Sequence, residues 1–214
     1  MKILLDAGHG ADSYTNGKYS PMVGELNLGD DPTIYKGRFR EGNFNRIAAQ
    51  EIVTQLLAEG YDAQLVTPEE EDISLGERVR RVNKWCDKLG AANVVLVSIH
   101  ADAAGHGNEW RNARGMTSRV SPNGSKKSRW LGKVLWQESC KQGLKGNRWV
   151  PECGYIEQSL YITNNTRCPA VLTENCFYDN QADLRILASV EGRERVIRAH
   201  VAALKKYVDT FGNA

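Results

Sequence analysis

The chain has 214 residues, of which 41% are hydrophobic and 25% charged, with a formal net charge of +2. These are the proportions of an ordinary globular protein, and the length suits one large domain or two small ones. No apolar run approaches the length of a membrane-spanning helix, which excludes a helical span and argues against membrane insertion.

Taken in order, Lys2–Asp6 is a short aliphatic strand that ends at once in the turn Gly8-His9-Gly10. Met1 runs straight into that strand with one Lys and no apolar leader, so no signal peptide is expected. Either the protein accumulates in the cytoplasm before release or an exported form has been trimmed. Residues 10–40 form a long Gly-, Asp- and Tyr-rich connection with Tyr14, Tyr19 and Tyr35, and a connection of that length is often functional. The spacing of Phe44, Ile47, Ala48, Ile52, Leu56 and Leu57 predicts a helix over Glu41–Glu59, stopped by Gly60. A strand follows at Tyr61–Thr67. Ser74-Leu75-Gly76-Glu77 fits a capping box opening a helix that runs to about Leu89.

Asn93–Ile99 reads as the central buried strand and leads into His100-Ala101-Asp102. After a Gly-rich stretch, a strand is predicted near Met116–Val120. A helix follows over Ser125–Gln142, with Trp130, Leu131, Val134 and Leu135 on one face. Tyr155–Thr163 and Ala170–Glu174 are further strands. Glu191–Val208 closes the chain as a helix with Ile197, Val201, Leu204 and Val208 inward. Strands alternating with helices predict a single α/β domain, residues 1–214, with a largely parallel or mixed sheet.

Charge and cysteines add constraints. Residues 106–149 hold ten basic and two acidic residues and also Trp110, Trp130, Trp136 and Trp149. Basic plus aromatic residues suit an anionic polymer, whether nucleic acid or another kind, or simply a solvated helix face. The five cysteines, Cys86, Cys140, Cys153, Cys168 and Cys176, include no C-x-x-C pair. That points to reduced, mostly buried thiols and away from a disulfide framework or a zinc knuckle.

Two histidines stand at the carboxyl ends of apolar strands, where α/β sheets bind ligands. His9 and His100 therefore suggest a metal site, and Glu41, at the start of its helix, is the best third ligand. Two imidazoles and one carboxylate leave a fourth position open, the pattern of catalytic rather than structural zinc. Glu174 ends the strand Pro169-Ala170-Val171-Leu172-Thr173 at the same kind of edge, where a general base belongs. His106 reads as a loop residue, His200 as a core-edge residue and Cys176 as a packed thiol. Asn164, Asn165 and Asn175 are candidate substrate contacts, with turn roles open to the first two.

In order, Asp6-Ala7-Gly8-His9-Gly10, Glu41 with Asn45, Ile73-Ser74-Leu75-Gly76-Glu77-Arg78-Val79 with Asn83, Ser98-Ile99-His100-Ala101-Asp102 and Pro169-Ala170-Val171-Leu172-Thr173-Glu174-Asn175-Cys176-Phe177 form a series spanning nearly the whole chain. Together with Asn180 and the closing helix, the series resembles the zinc-dependent N-acetylmuramoyl-L-alanine amidases of the type 3 family. The resemblance implies one zinc ion on His9, Glu41 and His100, with Glu174 as the catalytic glutamate. It implies a twisted sheet of about six strands with helices on both faces. The reaction it implies is cleavage of the amide between N-acetylmuramic acid and the stem peptide's L-alanine in peptidoglycan. A lone catalytic domain of this kind, expected as a monomer, fits a phage or prophage lysin or a wall-remodelling enzyme acting on the cell wall, with no nucleic-acid partner. The Arg that the family often carries before its second helix is missing from Thr67-Pro68-Glu69-Glu70-Glu71-Asp72. A zinc hydrolase of another amide and a silent wall-binding domain stay open as alternatives.

Overall fold

The computed structural model describes residues 1–11, 17–105 and 108–212. Its centre is a six-stranded sheet. The strands are β1 (Lys2–Ala7), β4 (Asp62–Leu65), β5 (Val94–Asp102), β6 (Thr117–Val120), β7 (Ile156–Glu157) and β8 (Ala170–Phe177), in the order β4-β1-β5-β8-β6-β7. The pairs among β4, β1, β5 and β8 are parallel, β6 runs antiparallel to β8, and β7 runs parallel to β6. The sheet is thus mixed and mostly parallel, and it belongs to a single α/β domain, as the alternation of strand and helix signals predicts.

The continuous aliphatic runs of β1 and β5 are explained by burial on both faces, as a parallel sheet requires. Ile3, Leu5, Ala7, Val95, Val97 and Ile99 face the larger apolar cluster. Helices α1 (Glu41–Ala58), α3 (Lys126–Lys141) and α6 (Val190–Phe211) close over that side. The intervening Leu4, Val94 and Leu96 face a smaller cluster covered by α2 (Leu75–Leu89) and α4 (Tyr161–Asn165). Leu172 of β8 belongs to that smaller side.

Most predicted elements stand, with particular corrections. Ser74 accepts a hydrogen bond from the Glu77 amide and caps α2, but the Glu77 carboxylate pairs with Arg80 and Arg81. Leu57 is exposed, so α1 buries a narrower stripe than its apolar spacing implies. The connection after β1 contains a 3₁₀ turn at Gly24–Leu26 and a hairpin of β2 (Ile34–Tyr35) and β3 (Arg38–Phe39). Arg38 and Arg40 lie over the Tyr19 ring there, and Tyr14 falls outside the described residues. The strand predicted at Tyr155–Thr163 is only the two-residue β7, and the rest turns into α4. Side chains explain the switch: Asn165 donates to the Tyr161 carbonyl and Thr166 to that of Ile162, closing a helical turn despite β-prone neighbours. A short helix α5 (Gln181–Leu187), capped by Asn180, was not predicted.

Candidate active site

The site lies at the carboxyl edge of β1, β5 and β8. β1 ends in a turn whose Gly8 amide bonds the Ile99 carbonyl at 3.0 Å. His9 then adopts a left-handed conformation, φ 63°, which few non-glycine residues enter although His does so more readily than most. Gly8 admits no other residue without rearrangement, because a Cβ there would lie 2.1 Å from the His100 ring. The turn is held from two helices, since Arg46 of α1 and Arg78 of α2 both donate to the His9 carbonyl. Asn45 of α1 donates to the Gly8 carbonyl at 2.9 Å. Gly42 lets α1 begin against this turn, since a Cβ there would meet the Gly10 carbonyl at 1.7 Å.

Glu41 opens α1 and is almost wholly buried beneath the two imidazoles. Its Oε1 lies 3.0 Å from His100 Nδ1 and 3.4 Å from His9 Nε2. Burial alone would raise its pKa, but the hydrogen bonds and charge of His100 and His9 prevail and hold the carboxyl well below the ordinary range. Ligand atoms of His9, Glu41 and His100 lie within 4.8 Å of one another. Donors about 2 Å from a tetrahedral metal sit roughly 3.3 Å apart, so the observed separations need little adjustment to take an ion. Glu41 Oε2, buried and without a hydrogen bond, is one more atom that an ion would satisfy. The three residues fit a metal ion on these grounds.

Glu174 is directly opposite His100 in the β5–β8 register. His9, His100 and Glu174 line one cavity of about 520 Å³ that runs toward Ser74, Leu75 and Tyr161. Burial pushes Glu174 up to about 8. The nearby Asp102 and Glu41 charges add to the rise, while His100 and Arg119 oppose it. Asn175 donates to the His100 carbonyl and to Thr173 Oγ1, and the Thr173 hydroxyl meets His200 Nε2 at 3.0 Å. These bonds make a buried polar support beneath the site.

Three of the four predicted site residues, His9, His100 and Glu174, therefore line one cavity, and Glu41 is buried against the two imidazoles. The other readings fare unevenly, with Cys176 packed as expected and His200 deeper than expected. His200 is fully buried rather than at the core's edge. Cys176, at φ 68°, packs into the larger cluster. All five cysteines are free, but Cys153 is exposed. The side chains of Asn164 and Asn165 are taken up by Ser159 and by the Tyr161 carbonyl. His106 falls outside the described residues. Within the basic segment, Arg111, Arg114, Arg119, Arg129 and Lys141 each pair with an acidic side chain, which offsets part of its charge.

Sequence reasoning missed Arg78. It is fully buried, ion-paired with Asp6 at 2.7 Å and bonded to the Ala7 carbonyl. Its signal was its place in the i, i+4, i+8 stripe with Val82 and Cys86, where a charge must find a partner.

Two imidazoles and a carboxylate at the carboxyl edge of a mixed sheet, beside a second buried carboxylate and an open cavity, define the class: an α/β protein with an open three-residue site able to hold one metal ion. The chain belongs to the N-acetylmuramoyl-L-alanine amidase family, whose sequence profile matches residues 3–206. It is 28% identical over 218 residues to an uncharacterized cell wall amidase of Bacillus anthracis, covering 99% of this chain and 36% of that protein. It is 23% identical over 159 residues to an endolysin of Bacillus phage SPP1, covering 73% of this chain and 54% of the endolysin. The chain thus spans only about a third to a half of the length of these two curated relatives. The crystal structure of the N-acetylmuramyl-L-alanine amidase Ami1 of Mycobacterium smegmatis superposes with a TM-score of 0.76 at 20% identity, over 98% of this chain and 97% of that one.

Proposed function

We propose that residues 1–214 form one catalytic domain that hydrolyses the amide between the lactyl group of N-acetylmuramic acid and the L-alanine of the stem peptide. The observation that carries this reading is the cluster of His9, Glu41 and His100 beside a cavity that His9, His100 and Glu174 line, in a chain whose family match runs from residue 3 to 206. The substrate is peptidoglycan or a muropeptide derived from it, and the site of action is the cell wall. A phage or prophage lysin and a wall-remodelling enzyme are the two settings that fit.

His9, Glu41 and His100 would hold one zinc ion, which supplies Lewis acidity by polarising the scissile carbonyl and acidifying water. The chain's own groups do the rest. The cavity receives the muramoyl-peptide and brings its amide to the β5–β8 edge. Glu174, charged when a cation sits nearby, accepts a proton from the attacking water and returns it to the departing alanine amine. Its burial suits the task, because a carboxylate with an elevated pKa both takes and gives a proton near neutrality. Asn175 fixes the His100 backbone, and the two arginines fix that of His9, so the imidazoles stay aligned as the amide turns over.

The test is mass spectrometry of peptidoglycan digested by the purified chain, with plain peptides and N-acetyl sugars as parallel substrates. Release of stem peptides with free L-alanine amino termini, leaving intact muramic acid, is expected. Cleavage of plain peptides or loss of acetyl groups would show a zinc hydrolase of another amide. No product at all would show a binding domain.

A further inference from the structure

Arg119 of β6 lies on the same face of the sheet as Glu174. Thr117 pairs directly with Glu174 across β6 and β8, and Arg119 lies two residues further along β6, opposite Leu172. Directly opposed residues in antiparallel strands project to one side. Each nitrogen of the Arg119 guanidinium has its own neighbour. One terminal nitrogen bonds Asp102 Oδ2 of β5 at 2.5 Å, and the other donates to Gln158 just beyond β7. The third, Nε, makes no hydrogen bond and lies 3.8 Å from Glu174 Oε1. The side chain is largely buried, so Asp102 and Gln158 fix the plane of the fork and leave its last donor facing the carboxylate. Glu174 Oε2 and the Thr117 hydroxyl are likewise buried without hydrogen bonds. Polar atoms left open together beside a cavity mark a place where a small movement completes contacts during turnover. A planar three-nitrogen fork suits three neighbours fixed in different directions, which a lysine's single ammonium matches less well.

We infer that Arg119, clamped by Asp102 and Gln158, is a positioning residue that holds the Glu174 carboxylate in its working orientation. The inference rests on the reading of Glu174 as the proton-carrying group. It adds a residue whose effect passes through Glu174 and not through the metal ligands.

The experiment compares Arg119→Met, Arg119→Lys, Gln158→Ala, Glu174→Gln and the Arg119→Met/Glu174→Gln double variant of the full chain. The substrate is N-acetylmuramoyl-L-alanyl-D-isoglutamine, and zinc content and thermal unfolding are measured alongside. Arg119→Met should lower kcat about 10–100-fold, within the reach of a general-base defect, with KM within about twofold and zinc content unchanged. Arg119→Lys should recover part of the loss, and Gln158→Ala should show a smaller loss confined to kcat. In the Glu174→Gln background, Arg119→Met should cost no more than about another twofold, because both changes disable one unit. If Arg119→Met does not fold, Arg119→Lys and Gln158→Ala decide the matter by whether their losses vanish in that background. Full additivity, a loss carried by KM, or near-normal kcat would overturn the inference and leave the role of Glu174 standing. A normal rate in Glu174→Gln alone would overturn both.

Discussion

Single atoms decide what the site can do. Glu41 shows how: it is buried deeply enough that a lone carboxylate would resist ionising, yet two imidazoles 3.0 and 3.4 Å away keep it charged. Removing one imidazole therefore does more than delete a ligand, since it leaves a buried charge half-compensated. His9→Ala and His100→Ala are expected to lose bound zinc and activity together. Elemental analysis of the purified variants checks this, and full occupancy in both would assign the metal elsewhere. Glu174 is a different case, because the three proposed ligands, His9, Glu41 and His100, are complete without it. Glu174→Gln keeps the shape and removes the base, so turnover should fall roughly 10²–10⁴-fold while zinc content and muropeptide binding persist. Near-normal turnover would remove Glu174 from the mechanism, and zinc loss would make it a ligand.

At the level of helices and strands, what the sequence revealed depended on whether local pattern or distant contact set the structure. β1, β5, α1 and α2 were legible because a continuous apolar run, period-3.6 apolar spacing, or a Ser-x-x-Glu start is written into adjacent residues. The four candidate site residues were legible because each lies near an element's end: His9 just past β1, Glu41 opening α1, and His100 and Glu174 two and three residues before β5 and β8 stop. α4 was not, since its turn depends on Asn165 and Thr166 side chains reaching back to carbonyls in a stretch rich in β-formers. Nor was the β6–β8 pairing that brings Arg119 to Glu174, because antiparallel insertion next to a parallel strand leaves no local trace. Arg78 is the element-scale pin. It joins α2 to the end of β1 through Asp6 and the Ala7 and His9 carbonyls. Arg78→Met would leave Asp6 buried without its cation, and loss of such a partner costs about 3–5 kcal/mol. Urea unfolding should show that loss, and an unchanged midpoint would mean that α2 is anchored by its apolar stripe alone. Lys126 and Lys127, at the start of α3, behave differently. They border a separate cavity of about 490 Å³. Reversing both charges should leave hydrolysis of a soluble muropeptide within about twofold while flattening the salt dependence of binding to intact sacculi. Unaltered binding would make this end of α3 a solvated face.

For the molecule as a whole, the polar support under the sheet edge links catalytic geometry to folding stability, and His200 makes the link measurable. It is fully buried on α6, with Nδ1 2.8 Å from the Val196 carbonyl and Nε2 3.0 Å from the Thr173 hydroxyl. In the neutral ring Nδ1 donates to that carbonyl and Nε2 accepts from the hydroxyl, and the charged form would give up its hydration on burial. Burial lowers its pKa to about 4 from an ordinary 6.5. Between those values the unfolded chain binds a proton that the folded chain refuses, so stability rises with pH there and is lost as pH falls from 6.5 toward 4. A shift of that size corresponds to roughly 3 kcal/mol across the window. Glu174 works in the opposite sense, because its raised pKa favours the folded state below the ordinary carboxyl value and gives that advantage up as pH climbs toward 8. The comparison must therefore be made between variants and not read from one curve. Unfolding free energies of the wild type and His200→Gln, measured with urea at pH 7.5, 6.5, 5.5 and 4.5, should diverge in slope. The wild type should weaken as the pH drops below about 6.5, and the variant, having no ring to protonate, should weaken less. Parallel curves would mean that the unfolded-state proton is matched in the fold and that His200 is no acid-sensitive element of the core.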